Sequence, residues 1–147
     1  MIVAGSHSQT LAAALAGETG EELASVEYDR FPDGEGIVRV EDIEGRAVVV
    51  ASTVSDRAHV ELLQLQDAVR EAGASEVTTV LPYMGYARQD RAFESGQPVS
   101  ARAVARAIST GTDRVITVNP HESRICDYFD VPAEALDAAA CLARPLP

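Results

Sequence analysis

The chain is read as an α/β domain: a mostly parallel sheet flanked by helices, with one protruding β-hairpin. Three observations carry that reading. Short runs rich in β-branched residues recur at residues 2–4, 47–51, 77–81 and 115–118. Stretches with apolar residues at helical spacing lie between them. Two further short strands, at 25–28 and 37–40, enclose an Asp33-Gly34 turn and predict the hairpin.

In chain order, the strand at 2–4 meets the small-residue turn GSHSQT. Ser8 can cap a helix from Gln9 to about Leu15, whose alanines propagate it. Such a helix start can hold phosphate, but the glycine pattern here is thin. In the hairpin, Gly34 is free to take positive φ. Phe31 stands beside an acidic turn, so it either tucks back onto its own domain or reaches a ligand or another subunit. The AVVVA run at 47–51 is a strand buried on both faces. After STVSD, a helix over about 58–72 buries Leu62, Leu65 and Val69, and Gly73 marks its end.

The strand at 77–81 feeds LPYMGYARQDRAF, where Pro82 and Gly85 break it and planar and charged side chains follow. Pro98 suits the entrance of the next helix, with Ser100 as its N-cap and Ala101, Val104, Ala105 and Ile108 facing inward. The strand at 115–118 stops at Asn119-Pro120-His121-Glu122. Beyond Pro132 an Ala-rich helix is expected over about 133–143, and residues 144–147 read as linker.

Composition bounds the function. The chain has 147 residues, enough for one core, and 46% hydrophobic content describes a soluble globular protein. The start lacks a basic, apolar leader, and no apolar run approaches membrane-spanning length, so a cytoplasmic location and no membrane partner are expected. There are 23 acidic residues against 12 basic ones, giving a net charge of -11, and every basic residue is Arg. A high-salt cytoplasm favours such an acidic, lysine-free surface, and a GC-rich genome also favours Arg and Ala. Either way there is no basic patch for nucleic acid. Cys126 and Cys141 form no zinc motif and are read as small, buried, reduced core residues.

Parallel sheets gather useful groups at strand C-termini. One such end offers Arg88, Gln89, Asp90 and Arg91, and another offers His121 and Glu122. Arg can pair with phosphate or stack on a base, and Gln can hydrogen-bond an adenine edge. A lone His121 is either a metal ligand or an ordinary histidine. There is no GxxxxGK[ST] loop, no GxGxxG fingerprint and no nucleophile elbow.

The segments FPDGE at 31–35, PYMGYARQDR at 82–91, PVSA at 98–101, DRVITV at 113–118 and FDVP at 129–132 occur in the order found in ribose-phosphate pyrophosphokinases. Over nearly its whole length the chain resembles the N-terminal half of that family, and YARQDR is specific to it. The resemblance implies a phosphoribosyltransferase-like N-terminal domain. It also implies transfer of the β,γ-diphosphate of ATP to ribose 5-phosphate, giving phosphoribosyl diphosphate and AMP with Mg²⁺. Residues 1–143 would be the ATP-binding domain, and 144–147 the start of a linker. Arg88 and Gln89 would contact ATP. Phe31, Asp33, Gly34 and Glu35 would complete the adenine pocket of a neighbouring subunit in a homo-oligomer. His121 would ligate metal, with Asp130 as a weaker candidate.

Two departures matter. Where the family commonly carries an Asp two residues before the histidine, this chain has Asn119, which weakens direct Mg²⁺ attachment. The family's second half, which supplies the catalytic Lys and Arg and the ribose 5-phosphate loop, does not follow, and this chain has no lysine. No catalytic residue is therefore expected here. The chain is expected to be a fragment or incomplete gene product, inactive alone, or else a non-catalytic regulatory or assembly partner of a full-length synthetase. A free-standing nucleotide-binding module is a third reading.

Overall fold

The computed structural model describes residues 1–139 and Cys141. Strands β1 (Ile2–Ala4), β4 (Gly45–Val50), β5 (Ala74–Leu81), β6 (Arg114–Val118) and β7 (Ala133–Leu136) form one sheet in the order β1-β4-β5-β6-β7. Every pairing in it is parallel. Strands β2 (Val26–Arg30) and β3 (Gly36–Val40) make a separate antiparallel hairpin. The α/β reading with its hairpin is thus what the chain forms.

Alternation along the strands separates two faces. Ala47 and Val49 of β4, Val77 and Leu81 of β5 and Val115 of β6 turn to one side. There they pack on Leu62, Leu65 and Val69 of α2 (Asp56–Glu71), on Ala105 and Ile108 of α3 (Ser100–Ser109), and on Ile125 and Phe129. Ile2, Ala4 and Val50 turn to the other side, against Ala12 and Ala16 of α1 (Gln9–Thr19). That second face stays half-buried at Val48, Val80 and Ile116. Inside the first layer lies one polar knot. Gln66 is fully buried, and its amide donates to the Thr79 hydroxyl at 2.9 Å and the Ile108 carbonyl at 3.1 Å.

Several sequence expectations change. Residues 133–136, expected to be helical, form β7, because the ladder with β6 outweighs the helix propensity of an Ala-Glu-Ala-Leu segment. The rest of that expected helix, and the linker at 144–147, fall largely outside the described residues. Ser8 and Ser100 do not cap their helices with their side chains. The Ser8 hydroxyl instead pairs with Ser52, and Ser100 is the first residue of α3, with its hydroxyl turned to Gln89. Cys141 is exposed and Cys126 only half-buried, so neither is a core residue; they are unpaired, and burial raises the Cys126 thiol pKa. No described helix is long and apolar enough to cross a membrane.

Candidate functional site

The C-terminal ends of β5 and β6 diverge into two loops that form the walls of one open groove. The first wall carries Tyr83, Tyr86, Arg88 and Gln89, and the second Asn119, Pro120 and His121, with Ala138 at its edge. Adjacent parallel strands explain the juxtaposition, since Leu81 pairs with Thr117 and both chains leave the sheet at the same end. The sequence-predicted Arg88, Gln89 and His121 therefore come together.

The first wall is fastened along its length. Thr53 anchors its start: the Thr53 amide donates to the Tyr83 carbonyl at 2.9 Å, and the Gly85 amide donates to the Thr53 hydroxyl at 3.0 Å. Gly85 sits so close that a Cβ would lie 2.4 Å from the Thr53 carbonyl oxygen and 2.8 Å from Nε2 of His59, so only glycine fits. The Tyr86 hydroxyl donates to the Asp56 carboxylate at the head of α2. Asp90 closes the wall. It is buried, and its carboxylate accepts from Nε and Nη2 of Arg124, while its carbonyl accepts from the Tyr128 hydroxyl at 2.6 Å. The Arg124 hydrogen bond, chiefly, holds the Asp90 carboxyl below its usual pKa.

Arg88 is exposed and, among the described residues, forms no ion pair. An uncommitted guanidinium in a groove can accept phosphate oxygens or the face of a base. Gln89 is different. Its amide nitrogen donates to the Pro98 carbonyl at 3.1 Å, and its amide oxygen accepts from the Ser100 hydroxyl at 2.7 Å. Gln89 thus already ties this wall to the start of α3 and keeps one N–H free for a ligand.

On the second wall, Asn119 takes φ 41°, a left-handed conformation that Asn tolerates. Its side chain is spent on the segment after β7, donating to Asp137 at 3.0 Å and accepting from the Ala138 amide at 3.0 Å. The Ala139 amide chiefly, and then the Asn119 amide, hold the Asp137 carboxyl below its usual pKa. His121 is exposed at the rim.

Phe31, Asp33, Gly34 and Glu35 do not line the groove. They form the hairpin tip, where Gly34 has φ 93° and the Glu35 amide donates to Asp33 at 3.1 Å. Phe31 is 47% exposed, one of the large apolar side chains on the surface. The hairpin's root, by contrast, is docked: the Gln64 amide donates to the Gly36 carbonyl at 2.9 Å, and the Tyr28 hydroxyl donates to the Ala4 carbonyl. Asp130 is exposed and is not among the residues that line the groove.

Among the described residues no group of three His, Cys, Asp or Glu side chains could hold a metal ion. The donor set fits Mg²⁺ only in the manner in which phosphate oxygens and waters supply most ligands and the protein supplies one or two.

Sequence reasoning missed Thr53, Asp56, Arg124 and Tyr128. Each reaches the 82–91 loop from a distant part of the chain, and no local periodicity marks such a contact.

Comparison with known proteins bears on the groove. Residues 1–111 match the family model of the N-terminal domain of ribose phosphate pyrophosphokinase. The chain is 68% identical to a ribose-phosphate pyrophosphokinase of Halobacterium salinarum, over 100% of this chain and 53% of that protein. It is 50% identical to a ribose-phosphate pyrophosphokinase of Methanopyrus kandleri, over 99% of this chain and 51% of that protein. The crystal structure of phosphoribosylpyrophosphate synthetase from Mycobacterium smegmatis superposes with a TM-score of 0.85 at 29% identity, covering 98% of this chain and 50% of that one. The chain thus spans about half the length of the curated relatives it matches.

Proposed function

Because the chain belongs to the ribose-phosphate pyrophosphokinase family, as an N-terminal half, we propose that its groove is the ATP side of a diphosphate-transferring site. The observation that carries the reading is the meeting of Arg88, unpaired among the described residues, with the His121 loop across two adjacent strand ends. Arg88 pairs with nucleotide phosphate or stacks on the base. Gln89 hydrogen-bonds the base with the N–H it has left. His121 would supply the protein ligand to Mg²⁺ that enters on ATP, with Asp130 as the weaker candidate. When bound, the metal neutralises phosphate charge. In the reaction the 1-hydroxyl oxygen of ribose 5-phosphate bonds to the β-phosphorus, the bond from that phosphorus to the α,β-bridging oxygen breaks, and AMP leaves while the hydroxyl loses its proton.

The hairpin tip completes a neighbour's adenine pocket. Phe31 offers a stacking face, Asp33 and Glu35 accept from the exocyclic amine, and Gly34 lets the chain turn between them. The site is therefore shared within a homo-oligomer. Residues 1–143 form this ATP-binding domain and 144–147 begin the linker. With no lysine in 147 residues, the chain does not neutralise the transferring diphosphate in the family's manner and is inactive alone. We read the lysine-free acidic surface as suited to high salt in a cytoplasm.

The test is an assay of the purified chain with ATP, Mg²⁺ and ribose 5-phosphate. ATP binding without AMP release is expected, and robust AMP release would overturn the half-site reading. A second reading, a non-catalytic assembly partner, draws on the free hairpin tip above a docked root. Co-purification with a full-length synthetase would favour it.

A further inference from the structure

We propose that Tyr86 and Asp56 are positioning residues, a side-chain latch that sets the loop carrying Arg88 before any ligand arrives. The proposal rests on the nucleotide reading of the groove but has a readout independent of it. Only two non-glycine residues have a left-handed φ among the described residues, Tyr86 at 63° and Asn119 at 41°, and both line the groove. Asn adopts that region readily. A tyrosine does not, and persists there only when its surroundings over-determine it.

The surroundings of Tyr86 do so from three directions. Its carbonyl accepts from the Gln89 amide at 3.1 Å, which closes the turn that contains Arg88. The preceding Gly85 is pressed against Thr53 and His59, so the chain cannot relax inward. The phenol then crosses the outside of the turn to the Asp56 carboxylate, with the His59 ring 5.5 Å from its own. The inner contacts are backbone and sterics. The outer one is a single side-chain hydrogen bond on a half-exposed residue, and that bond is what keeps the turn from opening toward solvent. If it is removed, Tyr86 regains its ordinary conformations and Arg88, two residues on, loses its fixed place.

The test compares wild type with Tyr86→Phe, Asp56→Ala and Asp56→Asn in the full chain. Asn keeps an oxygen that accepts from the phenol, and Ala does not. Hydrogen exchange of the Gly85 and Gln89 amides is read without ligand, and ATP affinity is read by calorimetry. Tyr86→Phe and Asp56→Ala are expected to speed exchange at both amides by roughly three- to tenfold, to weaken ATP by a similar factor, and to leave β5 exchange unchanged; Asp56→Asn should stay within about twofold of wild type. Unchanged exchange at Gly85 and Gln89 in Tyr86→Phe overturns the latch, whatever ATP does. Asp56→Asn behaving like Asp56→Ala also overturns it, because the role would then be one of charge. If wild type fails to bind ATP, the functional reading falls and the exchange data still decide the latch.

Discussion

Two regions carry the residues that we propose contact ATP, and they are built in opposite ways. The 82–91 loop is tied to α2 by Tyr86, to the β4–α2 connection by Gly85, to α3 by Gln89 and to the 3-10 helix Ser123–Tyr128 by Asp90. Among the described residues, the hydrogen bonds of the hairpin tip at 31–35 are those of its own turn and one from Arg30, whose guanidinium donates to the Gly34 carbonyl at 3.1 Å. A loop fixed before the ligand arrives loses little entropy on binding. A tip with an exposed phenylalanine has surface left for another molecule. The contrast is what the proposed shared site would require: a preformed loop on one subunit and an accessible tip delivered by its neighbour.

The largest effect that would break the contrast is at the fixed wall. Arg88→Ala is expected to weaken ATP by about 10- to 100-fold, as for loss of a charge-assisted contact, with no shift in melting temperature because the side chain is exposed. Unchanged affinity in a calorimetric titration would remove Arg88 from the site. Next comes Arg124→Ala, which strips a buried Asp90 of its cation. A fall in melting temperature on the order of 5 °C is expected, together with faster hydrogen exchange at the end of the 82–91 loop.

The same pair gives a pH dependence. The Asp90 carboxyl is depressed in the folded state, so below the ordinary aspartate range the unfolded chain binds the extra proton. Its stabilisation is complete above about pH 4 and is lost as pH falls through the depressed value. Melting curves should therefore show the gap between wild type and Arg124→Ala narrowing as pH falls below the ordinary aspartate range, and a constant gap would remove the ion pair from the account.

The smallest effect sharpens the other side. Phe31→Ala should leave the melting temperature within about 1 °C, since surface substitutions are near neutral. It should weaken ATP by roughly two- to tenfold, and only at protein concentrations where the oligomer forms. A loss that does not depend on concentration would put Phe31 in its own chain's groove.

Most of the sheet was legible because its strands are β-branched runs and its helices carry clear apolar stripes. β7 was not, since Ala133–Leu136 has helix-forming residues and becomes a strand only through pairing with β6. The groove was half legible. Arg88, Gln89 and His121 follow strand ends and fall where a parallel sheet gathers its ligands. Asp56 and Arg124 lie 30 and 34 residues from their partners, Tyr86 and Asp90, and look like ordinary helix-surface charges in the sequence. Gln66 likewise reads as a polar interruption of the α2 stripe, although it is the buried link between α2, α3 and β5.

The central claim is that both walls of the groove take the same nucleotide. Amide chemical shifts followed during titration of the full chain with ATP and Mg²⁺ test it most directly. Concerted shifts at Arg88 and Gln89 and at Asn119 and His121, with one dissociation constant, are predicted. Shifts confined to one wall, or centred elsewhere on the chain, would contradict it.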